Sequence, residues 1–228
     1  ISDIGPILCL ISHENGGYYE AGVAMGLVAS SVNDQNDWSG WGFEIIDLDN
    51  DGLVDAVASG GQPIGGFSEG AIYPDLIWQG VEGPFAQFQD VTDDVEFGSD
   101  QDHYGLLTAD LDGDGWWEVV QSGAPGPPLF WQNQCGSAAW VDIELVAPRP
   151  NWQAFGARVE LTANGRTWTR EVQNVHAMSQ HSPRLHYGLG TSENVDSISI
   201  RWPDGRTTEA QNLPTHRVIQ VLHPDLVE

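Results

Sequence analysis

The chain has 228 residues, with 33 acidic side chains against 8 basic ones and a formal charge of −25. Residues 1–148 hold 25 Asp and Glu with no Lys or Arg, whereas residues 149–228 hold eight of each sign, every cation being an arginine. So acidic a chain excludes a nucleic-acid binder, which needs a basic footprint, and argues against docking on an anionic membrane; cations are the partners its field selects.

Helical i, i+3, i+4 periodicity never persists beyond two turns, while short β-rich runs recur between Gly, Pro and Asp clusters. The pattern predicts strands near 43–47, 54–58, 76–79, 86–91, 104–109, 117–121 and 129–132. A second set is predicted near 140–146, 156–162, 167–173, 184–188, 196–202 and 217–222, so the fold class is all-β. Asn164-Gly165 and Pro203-Asp204-Gly205 read as hairpin turns. No run reaches the roughly 18 apolar residues of a membrane span, so no membrane insertion is expected. The first residue is Ile1 rather than Met, as in a processed product or cut fragment, and the missing leader says nothing of compartment. Cys9 and Cys135 fit either a disulfide or two buried thiols.

The first 138 residues repeat internally. Trp41–Ser59 reads WGFEIIDLDNDGLVDAVAS and Tyr104–Ser122 reads YGLLTADLDGDGWWEVVQS. A proline-led apolar strand follows each, at Pro74–Gln79 and Pro128–Asn133, and a further copy opens the chain at Pro6–Ile11. The half-unit after the acidic loop thus occurs three times and the acidic half twice, so the chain is expected to begin inside a repeat. About four strands per repeat match a propeller blade. Two and a half blades cannot close a ring, which implies further blades from a longer parent chain or a partner chain; a small open sandwich is the alternative.

The acidic loops carry the chemistry. Asp47, Asp49, Asp51 and Asp55 stand at positions 1, 3, 5 and 9 of the first, with Gly52 at 6 and Leu53 offering a backbone carbonyl at 7. Asp110, Asp112, Asp114 and Glu118 repeat the pattern, with Gly115 at 6 and Trp116 at 7. That many hard oxygen donors suit Ca2+ rather than Zn2+, giving two expected calcium sites. An EF-hand is excluded because Ala58 and Gln121 stand where its Glu belongs and no helices flank the loops. Metal-free Asx turns explain the composition as well, but the clustered carboxylates would then repel one another. The ions are expected to stabilise the fold rather than to do chemistry.

These loops resemble the calcium loops of FG-GAP/VCBS propeller repeats, found in integrin α-subunits and many secreted bacterial proteins, over roughly residues 1–138. Downstream, Phe155–Leu161, Ser179-Gln180, Leu185–Gly190 and Val195–Gly205 carry GAR-V, SQ, LH-GLG and W-P-D-G elements in order. This series resembles the ASPIC/UnbV domain, and the whole is similar to the cartilage acidic protein 1-like family. Ala154-Phe155 departs from the family's usual small turn and aliphatic residue before Gly156. The resemblance implies a partial β-propeller over 1–138 followed by a small antiparallel β-sandwich over 139–228, secreted, extracellular or in the cell envelope.

Three groups invite other readings. His176, His181 and His186 stand five apart, but that spacing alternates faces on a strand and fits structural histidines better than a cluster. Ser179 and Ser182 lack a G-x-S-x-G elbow. Trp38, Trp41, Trp116, Trp117 and Trp152 could stack on sugars or simply fill a core. The resulting expectation is a non-catalytic recognition or adhesion module with an unidentified protein or glycan ligand. An enzyme whose active site lies in the absent blades, and a structural envelope or matrix component, are the alternatives.

Overall fold

The computed structural model describes residues 7–13, 15–28, 38–63, 73–83, 85–99, 101–123, 125–134, 136–176, 179–180 and 182–227; for Val175 and His176 it describes the backbone alone. The architecture is all-β. Among the described residues the helical structure is one 3-10 turn at Pro224–Leu226.

The N-terminal region forms three open antiparallel sheets. Strands β1 (Leu10–Ser12) and β2 (Tyr18–Glu20) make a small hairpin. Strands β3 (Gly40–Ile46), β4 (Asp55–Gly60), β5 (Leu76–Val81) and β6 (Gln87–Asp90) form a four-stranded meander, and β7 (His103–Ala109), β8 (Glu118–Gly123) and β9 (Leu129–Trp131) a three-stranded one. Among the described residues no sheet closes into a barrel.

The internal repeat is visible in the ladders. Register breaks between Gly40 and Phe43 in the β3–β4 pair, and between His103 and Leu106 at the equivalent positions of the β7–β8 pair. Ile46 faces Asp55 just as Ala109 faces Glu118, so each acidic loop connects two strands that end in matching register. Gly42 lets β3 approach β7: a Cβ there would lie 2.5 Å from that of Leu106. Ile46, Val57, Leu106, Trp117 and Val119 then form a shared core. Polar ties cross the same seam. Gln121 donates to Ser59 Oγ at 3.0 Å, and the fully buried Asp75–His103 pair closes at 2.7 Å.

The C-terminal module packs two sheets. Strands β11 (Arg158–Ala163), β12 (Arg166–Glu171), β16 (Asn194–Arg201) and β17 (Thr207–Pro214) make one, in the order β12-β11-β16-β17. Strands β10 (Ala139–Val146), β15 (Leu185–Gly190) and β18 (Arg217–Leu222) make the other, in the order β15-β10-β18. Two-residue strands β13 (Val175–His176) and β14 (Ser179–Gln180) pair between them in sequence. Val141, Ile143, Val159, Leu161, Tyr187, Ile198 and Ile200 fill the space between the sheets. Both expected hairpin turns form: Asn164 and Gly165 carry positive φ of 48° and 76°, and Gly205 donates to the Trp202 carbonyl.

One expectation needs correction here. The sandwich is not purely antiparallel, because β10 pairs with β18 in parallel from Val141–Arg217 to Val146–Leu222. These strands are distant in the chain, so no hairpin dictates their direction.

Candidate metal centre

Each acidic loop is first a set of self-made turns. In the first, Gly52 N–H donates to Asp47 Oδ2 at 2.8 Å, Leu53 to Asp51 Oδ1 at 2.6 Å and Leu48 to Asp55 Oδ2 at 2.7 Å. In the second, Gly113 donates to Asp110 Oδ1 at 2.8 Å, Trp116 to Asp114 Oδ1 at 2.8 Å and Leu111 to Glu118 Oε2 at 2.8 Å. Positive φ at Asn50, Gly52, Gly113 and Gly115 allows chains this short to curl their carboxylates inward.

The curl brings one oxygen each of Asp47, Asp49 and Asp55 within 4.8 Å of one another, and likewise Asp110, Asp112 and Glu118. Asp51 and Asp114 stand outside these two groups, each capping a backbone N–H two residues on. Two further side chains escaped the sequence reading. Gln79 donates to Asp49 Oδ2 at 2.7 Å and Gln132 to Asp112 Oδ2 at 3.5 Å. Their signal was present, since each ends the Trp-Gln of the proline-led strand that follows its loop.

The donor chemistry fits a divalent cation. Asp47 Oδ1 and Glu118 Oε1 are buried oxygens without a hydrogen-bond partner, a costly condition that a bound cation relieves. Burial, reinforced by the neighbouring Asp55 charge, pushes the Asp47 carboxyl up to about 8. Burial likewise pushes Asp55 up to about 7 and raises Asp110 and Glu118 from their ordinary values. Two clusters of acidic residues are therefore arranged so that they could hold metal ions.

The C-terminal module sits directly on these loops. Trp168 Nε1 donates to the Gly52 carbonyl at 2.9 Å, and the Gly190 N–H to the Asn50 carbonyl at 2.8 Å. Gly188 abuts Asp47 and Asn50, Gly115 abuts the Trp140 ring, and the Trp117 ring lies 5.2 Å from that of His186. Asn50 Nδ2 reaches the Gly115 carbonyl at 3.0 Å, tying the two loops together. The first loop is consequently the more buried, while Asp112 and Asp114 of the second face solvent.

The other candidate groups separate. His186 is buried and pairs with Asp142 at 2.7 Å; His181 and the side chain of His176 lie outside the described residues, as does Cys135 and with it the question of a Cys9–Cys135 bond. Ser182 is exposed, and Ser179 Oγ is buried. Trp38, Trp116 and Trp117 are buried, and Trp41 is half-buried with its indole donating to the Gly61 carbonyl. Trp152, at 50% exposure, alone of the five presents an open face, which removes most of the sugar-stacking surface.

Residues 147–227, which span most of the C-terminal module, match the ASPIC and UnbV family. The wider chain is similar to cartilage acidic protein 1, with 29% identity over 130 residues (53% of this chain) to the protein of Mus musculus and 29% over 131 residues to that of Homo sapiens. The chain spans about a fifth of the length of these relatives.

Proposed function

We propose that this chain is an extracellular, calcium-binding recognition module without catalytic activity, in which FG-GAP/VCBS-type propeller blades carry an ASPIC/UnbV domain. The observation that carries the reading is the pair of equivalent acidic loops, each with a buried carboxylate oxygen awaiting a partner at Asp47 or Glu118. Asp47, Asp49 and Asp55 hold one Ca2+ and Asp110, Asp112 and Glu118 the other, with Asp51, Asp114 and the carbonyls of Leu53 and Trp116 completing the sets. The ions neutralise the crowded carboxylates and rigidify the hairpins on which the module rests.

The extracellular setting is supported by the likeness to a protein named for cartilage. Further blades cover the exposed Leu10, Tyr18, Tyr19 and Val23 around β1–β2, apolar side chains that suit a neighbouring sheet rather than water. Loops between blades present the surface for a protein or glycan ligand. Calorimetric titration of the chelator-stripped chain with CaCl2 tests the core of this reading. Two equivalents should bind, Asp47→Asn and Glu118→Gln should each remove one, and EDTA should lower the melting midpoint. An unchanged melt in EDTA with no binding heat would sink the calcium assignment.

A further inference from the structure

The two acidic loops are equivalent in sequence but differ in what rests on them. In the first, the C-terminal module holds the backbone between the carboxylates. Trp168 Nε1 of β12 donates to the Gly52 carbonyl at 2.9 Å, and the Gly190 N–H of β15 to the Asn50 carbonyl at 2.8 Å. Gly188 of β15 lies so close that a Cβ there would collide with Asp47 Oδ2 and stand 2.5 Å from the Asn50 Cα. At the matching positions of the second loop, Gly113 is exposed, and the Gly115 carbonyl accepts from Asn50 of the first loop at 3.0 Å. The module meets Gly115 with the Trp140 ring, an apolar contact that does not depend on which way a carbonyl points.

Both hydrogen bonds to the first loop need its curl. Asn50 and Gly52 present their carbonyls from a left-handed backbone, at φ 59° and 91°. The same curl holds one oxygen each of Asp47, Asp49 and Asp55 within 4.8 Å of one another. Asp47, 1% exposed, keeps Oδ1 without a hydrogen-bond partner, and it is the carboxylate against which Gly188 packs. Without a bound cation the crowded charges repel one another and draw in water. Arg166 and Arg170 of the module act on Asp51 and Asp47 and offset part of this, but two cations face four carboxylates. Asp47 swinging outward to relieve the repulsion meets Gly188, so opening of the loop and release of the module go together.

Resting on the calcium reading above, we propose that the first loop is a calcium-controlled latch for the C-terminal module. With the ion bound, the loop presents the two carbonyls that Trp168 and Gly190 hold; with the ion removed, the module lifts from the loop while staying folded around its own core of Val141, Ile143, Val159 and Leu161. Occupancy of the second loop leaves this docking unchanged. Linkage is reciprocal, so the docked module raises the calcium affinity of the first loop above that of the second.

Hydrogen exchange of the full chain, followed by NMR alongside calorimetric titration with CaCl2, tests the latch. Calcium should slow exchange of the Trp168 indole N–H and the Gly190 amide at least tenfold relative to EDTA, while the Val159 and Leu161 amides stay protected in both. Asp49→Asn, in a side chain that reaches Gln79 rather than the module, should abolish that gain. Glu118→Gln, in the second loop, should leave it intact. Calcium binding without a gain in protection, or a gain lost equally in Glu118→Gln, would overturn the latch and leave the calcium reading standing. Absence of any calcium binding would overturn both.

Discussion

Gly188→Ala probes the junction between the acidic loops and the C-terminal module with the smallest possible change. Gly188 does not have the positive φ that would demand glycine, so the constraint on it is purely steric. An added methyl would collide with Asp47 Oδ2 and stand 2.5 Å from the Asn50 Cα. Neither neighbour yields easily, since Asp47 is buried and Asn50 is held in a left-handed turn at φ 59°. Either β15 or the loop must therefore retreat, stretching the Gly190–Asn50 and Trp168–Gly52 hydrogen bonds. Overpacking costs about 1–3 kcal/mol and each lost hydrogen bond about 1, so the variant should lose about 2–5 kcal/mol, or about 5–15 °C of melting temperature. Urea unfolding and thermal melts of both proteins in CaCl2 measure this directly, and calcium affinity should fall at the first loop only. A melting midpoint within a degree of the parent would refute the tight junction.

Other consequences are as concrete. Asp75→Ala strands His103 and the Gly60 N–H that Asp75 Oδ1 accepts at 3.0 Å, and should cost about 3–5 kcal/mol in urea unfolding. Trp168→Phe keeps an aromatic side chain but removes the indole donor to the Gly52 carbonyl, and should cost at least about 1 kcal/mol with little change at the second loop. Stability in chelator should depend on pH with a definite sign. Burial holds Asp47 up from 3.8 to about 8 and Glu44 up from 4.5 to about 8, so the folded chain retains protons that the unfolded chain has released. The penalty for ionising them is absent below about pH 4 and complete by about pH 8, so the midpoint in EDTA should fall across that window. Calcium should flatten the decline, and a midpoint that rises with pH in EDTA would contradict the assignment.

Much of this was legible in the sequence because it is local. The DLDxDGx[VW][DE] loops carry their own turn chemistry, and every strand predicted from 43 onward overlaps one that forms. Strand β17 was missed because Thr207–Pro214 offers Glu209, Gln211 and Asn212 where alternating apolar residues would announce a strand; it is an edge strand, exposed or half-buried throughout. The parallel β10–β18 pairing was missed because nothing in either strand encodes a distant partner. The seating of the module on the first loop was hidden for a further reason: Gly188 and Gly190 make the contact with backbone, and glycine's lack of a side chain carries no signature of what it touches. The buried tryptophans show the converse case, in which residue type alone could not separate a core from a binding face.

The parallel pairing of β10 with β18 has a mechanical consequence. The module enters through one strand and leaves through the other, and the two run side by side in the same direction over the pairs from Val141–Arg217 to Val146–Leu222. A pull applied between the start of β10 and the end of β18 drags these strands past each other along their length. All the hydrogen bonds of the ladder then resist together, as in a lap joint, instead of parting one by one as in a peeled seam. A module wired this way gives way late and abruptly under tension.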